Sequence, residues 1–142
     1  MKKALLVLAV LLTASCGHSD DGHTKEILPA DEASSSAMSL GAQAWVSEDQ
    51  RQVEIMTLGG VCDESAEIRV SETARKVRVV LRVTTSNETC ILLGVTRSFQ
   101  VKLREPLGDR ALVGGNGRPY PRLKERPGKA SNDIPVKVVD DD

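Results

Sequence analysis

One run of alternating residues constrains the fold of this chain more than any other feature. Residues 77–84 place Val77, Val79, Leu81 and Val83 in alternation with Arg78, Val80, Arg82 and Thr84. Side chains of a strand point to opposite faces in turn, so this pattern predicts a β-strand with one buried face. Residues 95–103 predict a second such strand, in which Val95, Phe99, Val101 and Leu103 alternate with Thr96, Ser98, Gln100 and Lys102.

Shorter apolar runs predict further strands at 42–46, 52–57, 67–70 and 111–113. Turn-forming residues separate them at Ser47-Glu48-Asp49, at Gly59-Gly60 and at Ser86-Asn87-Glu88. No stretch of the domain has a convincing helical period. The sequence therefore predicts an all-β fold, either a small antiparallel sandwich or an open barrel. It is not a standard immunoglobulin pattern, because the single tryptophan, Trp45, precedes both domain cysteines.

The N-terminus has the features of an export signal. Lys2 and Lys3 provide a positive start, residues 4–12 are apolar, and Thr13-Ala14-Ser15 are small enough for cleavage. The apolar stretch is far shorter than the roughly 20 residues that a membrane-spanning helix needs. Residues 1–15 are therefore predicted to be a signal peptide.

The end of this signal resembles the lipobox of bacterial lipoproteins. The residues Thr13-Ala14-Ser15-Cys16 have the small positions and the cysteine of that motif, with threonine in place of the usual leucine. The resemblance implies that Cys16 carries lipid and anchors the protein at the outer face of the bacterial cell membrane. The alternative is an ordinary secretory signal in which Cys16 merely lies near the cut.

The other two cysteines are predicted to form a disulfide. Three cysteines in an exported chain leave one odd thiol unless it has another use. If Cys16 takes lipid, Cys62 and Cys90 remain, and they would pair outside the cytoplasm if the fold brings them together. A metal or redox role for this pair is disfavoured by its long spacing and by the lack of a nearby histidine.

These features divide the chain into four predicted segments. They are the signal at 1–15, the lipidated Cys16 with a flexible, acidic and Ser-rich linker at 16–40, a β-domain at 41–122, and a disordered tail at 123–142. As a flexible coil, the linker would hold the domain roughly 25–30 Å from the anchor. A basic stretch, comprising Arg118, Arg122, Lys124, Arg126 and Lys129, begins at the end of the domain and continues into the tail.

The domain also resembles small exported domains of uncharacterised function that are common in actinobacteria. The residues that carry the likeness are Gly59-Gly60-Val61-Cys62, Glu72-Thr73, Cys90 and Glu105-Pro106-Leu107-Gly108-Asp109-Arg110. The resemblance implies an all-β exported domain and brings no known activity. The Pro106–Arg110 segment is predicted to be a turn in which Gly108 takes a positive φ. Arg110 either organises this turn or contacts an anion.

Composition disfavours two classes of function. The formal net charge is −1, and the chain has one Trp, one Tyr and one Phe, so it lacks the basic surface and stacking aromatics of a nucleic-acid binder. The only histidines, His18 and His23, lie outside the predicted domain, and no Gly-x-Ser-x-Gly or Ser-x-x-Lys motif is present. No catalytic residue, metal site or cofactor is therefore predicted, although His18, Asp20, Asp21 and His23 could weakly collect a metal ion.

The predicted function is that of a lipid-anchored extracytoplasmic module that binds or interacts with another component. Its predicted partners are the membrane, through the lipid on Cys16, and an envelope protein or a wall polymer. Arg110, Arg118 and Arg122 are the candidate interaction residues. One alternative is a passive structural component of the cell envelope. Another is an enzyme that uses only carboxylates or a metal.

Overall fold

The computed structural model describes residues 22–30, 41–86, 89–91, 93–128, 130 and 133–141, which form two β-sheets. The strands are β1 (His23–Ile27), β2 (Gln43–Val46), β3 (Gln52–Gly60), β4 (Asp63–Glu72), β5 (Lys76–Thr85), β6 (Gly94–Lys102), β7 (Ala111–Val113) and β8 (Val136–Asp140). The larger sheet has the order β1-β5-β4-β8, with β7 also paired to β5. The smaller sheet has the order β2-β3-β6.

The two sheets share one apolar core. The alternating residues of β5 are buried, as predicted, together with those of its neighbour β4 and of β3 and β6 in the smaller sheet. The core comprises Ala42, Ala44, Val53, Ile55, Ala66, Ile68, Val70, Val77, Val79, Leu81, Val83, Phe99, Val101, Leu103, Leu107, Leu112 and Tyr120. Most of these side chains are small or branched, and they fill the space between the sheets. Only two of them, Phe99 and Tyr120, are aromatic.

The predicted all-β fold is confirmed. The sheets form a sandwich-like arrangement and do not close into a barrel within the described residues. All six predicted strands are present, and the Ser47–Asp49 turn joins β2 to β3, with the Ser47 amide donating to the Gln52 carbonyl at 3.0 Å. Gly108 has a φ of 54°, and the Arg110 amide donates to the Leu107 carbonyl at 3.0 Å, so the predicted turn at 106–110 is also confirmed.

Two strands lie outside the residues 41–122 that were predicted as the β-domain. β1 lies within the segment predicted as a linker, and β8 lies within the segment predicted as a disordered tail. Both strands bury few side chains, so neither has the apolar alternation by which the sequence reveals a strand. They join the sheet through main-chain pairing, β1 antiparallel to β5 and β8 parallel to β4.

The Gly59-Gly60 pair is also placed differently from the prediction. The two glycines are the last residues of β3, and the turn into β4 consists of Val61 and Cys62. β3 and β4 belong to different sheets, so this short connection links the two layers at one end of the sandwich.

The disulfide between Cys62 and Cys90 is confirmed. It joins the β3–β4 connection to the segment that follows β5, with the two Cα atoms 6.2 Å apart. The bond spans 28 residues, for which the chain-entropy relation gives a stabilisation of about 3–4 kcal/mol. We call the end of the sandwich that contains Cys62, Cys90, Thr85 and Gly94 the disulfide end.

Tyr120 attaches the segment after β7 to the larger sheet. Its ring is buried, and its hydroxyl donates a hydrogen bond of 2.9 Å to the Val79 carbonyl. Its amide donates to the Leu112 carbonyl. Burial raises the pKa of Tyr120, so the hydroxyl stays protonated and remains a donor.

The described residues form no helix, and hence no helix that could cross a membrane.

Candidate functional site

A buried arginine occupies the disulfide end of the sandwich. Arg97 on β6 shares the inward face of that strand with Phe99. Although it is charged, its side chain is only 2 % exposed. Its Nε donates to Asp63 Oδ2 at 3.1 Å, and its Nη2 donates to the Gly60 carbonyl at 3.0 Å. Its Nη1 donates to Asp133, just before β8. Because a guanidinium stays charged, these partners offset the cost of removing it from water.

The Gly59 position lets this ion pair fit. A Cβ on Gly59 would meet the Asp63 carboxylate and would lie 3.0 Å from Arg97 Nε. Gly60 has no such constraint, since a Cβ there would come no closer than 3.7 Å to another atom. Its amide instead donates to Asp63 Oδ2 at 2.9 Å. The Gly-Gly-x-Cys-Asp sequence thus combines space for the ion pair, one half of the disulfide and the carboxylate.

A small pocket of about 190 Å³ opens beside this network between the two sheets. Lys25 and Ile27 of β1, Val83 and Thr85 of β5, and Thr57 of β3 contribute to its lining. Thr57 is 5 % exposed, and its hydroxyl has no hydrogen-bond partner among the described residues. At this end the interior of the sandwich therefore changes from apolar to polar.

A larger groove of about 540 Å³ crosses the outer face of the larger sheet. Three cations, Arg69, Arg82 and Lys137, line it together with one carboxylate, Glu67. Thr24, Ser65 and Thr84 add hydroxyl groups. A second carboxylate, that of Glu26, lies 4.0 Å from Arg82 Nε at its border. We call this surface the cationic groove.

The electrostatics of the cationic groove favour negative charge. The hydrogen bond of 2.6 Å from Arg69 lowers the pKa of Glu67, and Lys137 and Arg82 act in the same direction through their charges. Arg69 and Arg82 are 42 % and 43 % exposed, so water and a ligand can reach both guanidinium groups. The arrangement can hold an anionic group on a chain whose own net charge is −1.

Arg110, a predicted interaction residue, is bonded within its turn. Its Nη1 donates to Glu72 Oε2 at 2.9 Å, and its Nη2 donates to the carbonyls of Glu105 and Pro106 at 2.8 and 2.9 Å. Its side chain is 13 % exposed. These contacts favour the interpretation in which Arg110 organises the turn.

Glu72 is the buried carboxylate of this turn. Its burial opposes ionisation, but hydrogen bonds from the Arg104 amide and the Arg110 side chain outweigh that effect and lower its pKa. The segment 105–110 is therefore held to the start of the β4–β5 turn by an ion pair.

The other predicted interaction residues do not line the cationic groove. Arg118 ends the turn after β7, and its carbonyl accepts from the Gly114 amide. Arg122 has an exposed side chain and pairs through its main chain with Ala44, beside β2. Arg126 of the same basic stretch lies 5.2 Å from the Trp45 ring centre and bonds the buried Glu54 at 3.1 Å.

Two further predictions fall at the N-terminus. Cys16 and His18 lie outside the described residues. His23, predicted to lie in the linker, is the first residue of β1. Among the residues that the structure describes, no group of three or more His, Cys, Asp or Glu side chains is placed to hold a metal ion.

Sequence reasoning missed both the Arg97 network and the cationic groove. One signal was present for each. Arg97 lies two residues before Phe99, at a position of β6 that alternation predicts to be buried. Arg82 lies at a position of β5 that alternation predicts to be exposed. Lys137 gave no such signal, because its strand was not predicted.

The fold and site define a class of protein: a two-sheet β-domain with one disulfide, a buried ion-pair network and a cationic groove. Comparison with known proteins found no matching family model, no significantly similar curated protein and no significantly similar solved structure.

The two glycines that end β3 should respond differently to substitution. Gly59→Ala is expected to lower the free energy of unfolding by about 1–3 kcal/mol, because the added methyl group forces the Asp63–Arg97 pair apart. Gly60→Ala is the matched control and should change it by less than about 1 kcal/mol, since its methyl group has space. Urea unfolding measures both values. Equal losses in the two variants would contradict this role for Gly59.

Removing each of two buried hydroxyls should change the free energy of unfolding in opposite directions. Tyr120→Phe removes a bonded hydroxyl and should lower the free energy of unfolding by about 1 kcal/mol. Thr57→Val removes an unpartnered hydroxyl while keeping the shape of the side chain, and it should raise this free energy by about 1 kcal/mol. Urea titration of both variants tests the contrast. A loss of stability in Thr57→Val would show that this hydroxyl is hydrogen-bonded in solution.

The Glu72–Arg110 pair should make stability depend on pH. Because the folded pKa of Glu72 is below its ordinary value of 4.5, ionised Glu72 stabilises the fold above that pH and loses this effect as the pH falls through the folded pKa. Glu72→Gln should cost about 1.5–3 kcal/mol at pH 7. The difference from the wild type should shrink as the pH falls below 4.5. Unfolding free energies between pH 3 and 7 test this, with the exposed Glu64→Gln as control; a difference independent of pH would refute it.

Proposed function

We propose that this protein is a lipid-anchored extracytoplasmic binding module whose cationic groove holds an acidic polymer of the cell envelope. The observation that carries the proposal is the arrangement of Arg69, Arg82 and Lys137 around Glu67 in the cationic groove, with Glu26 at its border. The hydroxyls of Thr24, Ser65 and Thr84 add hydrogen-bonding groups to the same surface. Cations and hydroxyls together suit phosphate or carboxylate groups spaced along a chain.

The shape of the groove supports an extended ligand. Its lining comes from four strands or their flanks, from Thr24 on β1 across β5 and β4 to Lys137 on β8. Adjacent strands lie about 4.8 Å apart, so the groove extends over about 15 Å from β1 to β8. That length accommodates several repeating units of a polymer more readily than one small anion.

The proposed location rests on the N-terminal sequence. Lys2, Lys3 and the apolar residues 4–12 support export, and the likeness of Thr13-Ala14-Ser15-Cys16 to a lipobox supports lipid attachment at Cys16. The Cys62–Cys90 disulfide is consistent with an oxidising compartment outside the cytoplasm. In this proposal, the anchor keeps the groove within reach of envelope polymers, and the fold itself carries out no reaction.

Neutralising the cationic groove should weaken binding to cell walls. The full chain carrying Arg69→Gln, Arg82→Gln and Lys137→Gln is expected to bind isolated walls of the producing bacterium about tenfold more weakly. Three exposed ionic contacts at about 0.5 kcal/mol each supply about 1.5 kcal/mol, which is roughly that factor. Binding of the wild type should also weaken as salt is added. Cosedimentation over a range of wall concentrations gives the affinities.

A matched control changes the net charge by the same amount at positions outside the groove. Lys76, Lys102 and Lys124 are exposed and lie outside the groove, so replacing all three with Gln should leave affinity within about twofold of the wild type. Equal weakening in the two triple variants would show that net charge alone governs binding. No binding by the wild type would contradict the proposal and favour a passive structural component.

A further inference from the structure

Exposed apolar side chains are concentrated at the disulfide end. Seven large apolar side chains of the described residues are exposed, and four of them belong to this end. They are Leu58 at 40 %, Val61 at 41 %, Ile91 at 73 % and Leu93 at 55 % exposure. We call these four side chains the apolar end patch. None of the four belongs to the buried core.

The Cys62–Cys90 bond holds the parts of this patch together. Val61 precedes Cys62 in the β3–β4 connection, and Ile91 follows Cys90. The Leu93 amide donates to the Ile91 carbonyl at 2.9 Å. Leu58 lies against Gly94, where a Cβ would approach its side chain to 3.2 Å. The patch is therefore fixed to the body of the domain by a covalent bond and by strand pairing.

The chain leaves the domain toward Cys16 at this same end. His23, the first residue of β1, is paired with Thr85, and Thr85 is also paired with Asp63 on its other side. The start of β1 thus lies two strand spacings, or about 10 Å, from the β3–β4 connection. Six residues separate Cys16 from His23, so their Cα atoms can be at most about 25 Å apart.

We propose that the apolar end patch docks on the membrane that holds the lipid of Cys16. The inference rests on the lipid anchor of the proposed function. A short tether that leaves the domain at the same end as the patch would keep the patch facing the bilayer, and exposed Ile, Leu and Val side chains gain free energy on entering the interface. The patch contacts the lipid surface and not another protein, because the tether connects that surface to this end of the domain.

This orientation determines how the cationic groove would face its polymer. The cationic groove lies on the outer face of the larger sheet, beginning next to the docked end at Thr24, Thr84 and Ser65 and extending along the strands to Arg69. A domain docked by its end would present this groove to the space beside the membrane. Docking through apolar contacts should persist at high salt, whereas polymer binding in the groove should not.

A tryptophan placed in the patch tests the docking. The acylated full chain carrying Ile91→Trp is purified from membranes and reconstituted into phosphatidylcholine vesicles with or without brominated acyl chains, which quench nearby tryptophan. About half of the added emission should be quenched, because interfacial side chains lie roughly 5–10 Å into the boundary between headgroups and chains. Leu93→Trp provides a second test at the same end if Ile91→Trp does not fold.

The matched control is Val138→Trp, on β8. Val138 is 51 % exposed, and its strand position is level with Ile68 and Leu81, well away from the disulfide end. The native Trp45 remains in every variant as a common background. The proposal predicts quenching for Ile91→Trp and for Leu93→Trp, and little for Val138→Trp, at both low and high salt.

Intact mass and flotation with vesicles distinguish an error in the docking proposal from an error in the anchor proposal. If the wild-type chain has no acyl mass and does not float with vesicles, both the anchor and the docking are overturned. If it carries acyl groups and floats, but the patch variants are quenched no more than Val138→Trp, the anchor stands and the docking is overturned.

Discussion

The burial of one permanent charge is the constraint on which the disulfide end of this protein depends. Arg97 lies on the inward face of β6, which it shares with Phe99 and Val101 of the apolar core. Its guanidinium is satisfied by Asp63 at the start of β4, by the Gly60 carbonyl at the end of β3, and by Asp133 before β8. One side chain thus ties together both sheets and the C-terminal segment. The cost of burying the charge is offset only while all of these elements keep their positions.

Other features of this end lie beside that arrangement. Gly59 lacks a Cβ because the ion pair occupies its space, and Cys62 lies next to Asp63, so the disulfide closes over the same connection. The apolar end patch lies at this same end of the sandwich, and its side chains are exposed. In our proposals this patch contacts the membrane, while the outer face of the larger sheet remains accessible to an acidic polymer.

The sequence predicted those parts of the fold that bury alternating side chains. β5 and β6 were predicted from their alternation, and the turn at 106–110 from Pro106 and Gly108, because local chemistry decides these features. β1 and β8 were missed because they pair through the main chain and bury little. Cysteine counting predicted the disulfide, but no pattern in the sequence paired Arg97 with Asp63, which is 34 residues away. The cationic groove was missed for the same reason, since Lys137 reaches it only through the parallel pairing of β8 with β4.

A double-mutant cycle between Arg97 and Asp63 tests this account most directly. The free energy of unfolding is measured by urea titration, with the disulfide intact, for Arg97→Met, for Asp63→Leu and for the double variant. Each single variant leaves a buried charge without its main partner and should lose about 3–5 kcal/mol, whereas the double variant should lose no more than either single one. Losses that simply add would show that the two side chains act independently, and would contradict the view that their buried ion pair organises the disulfide end.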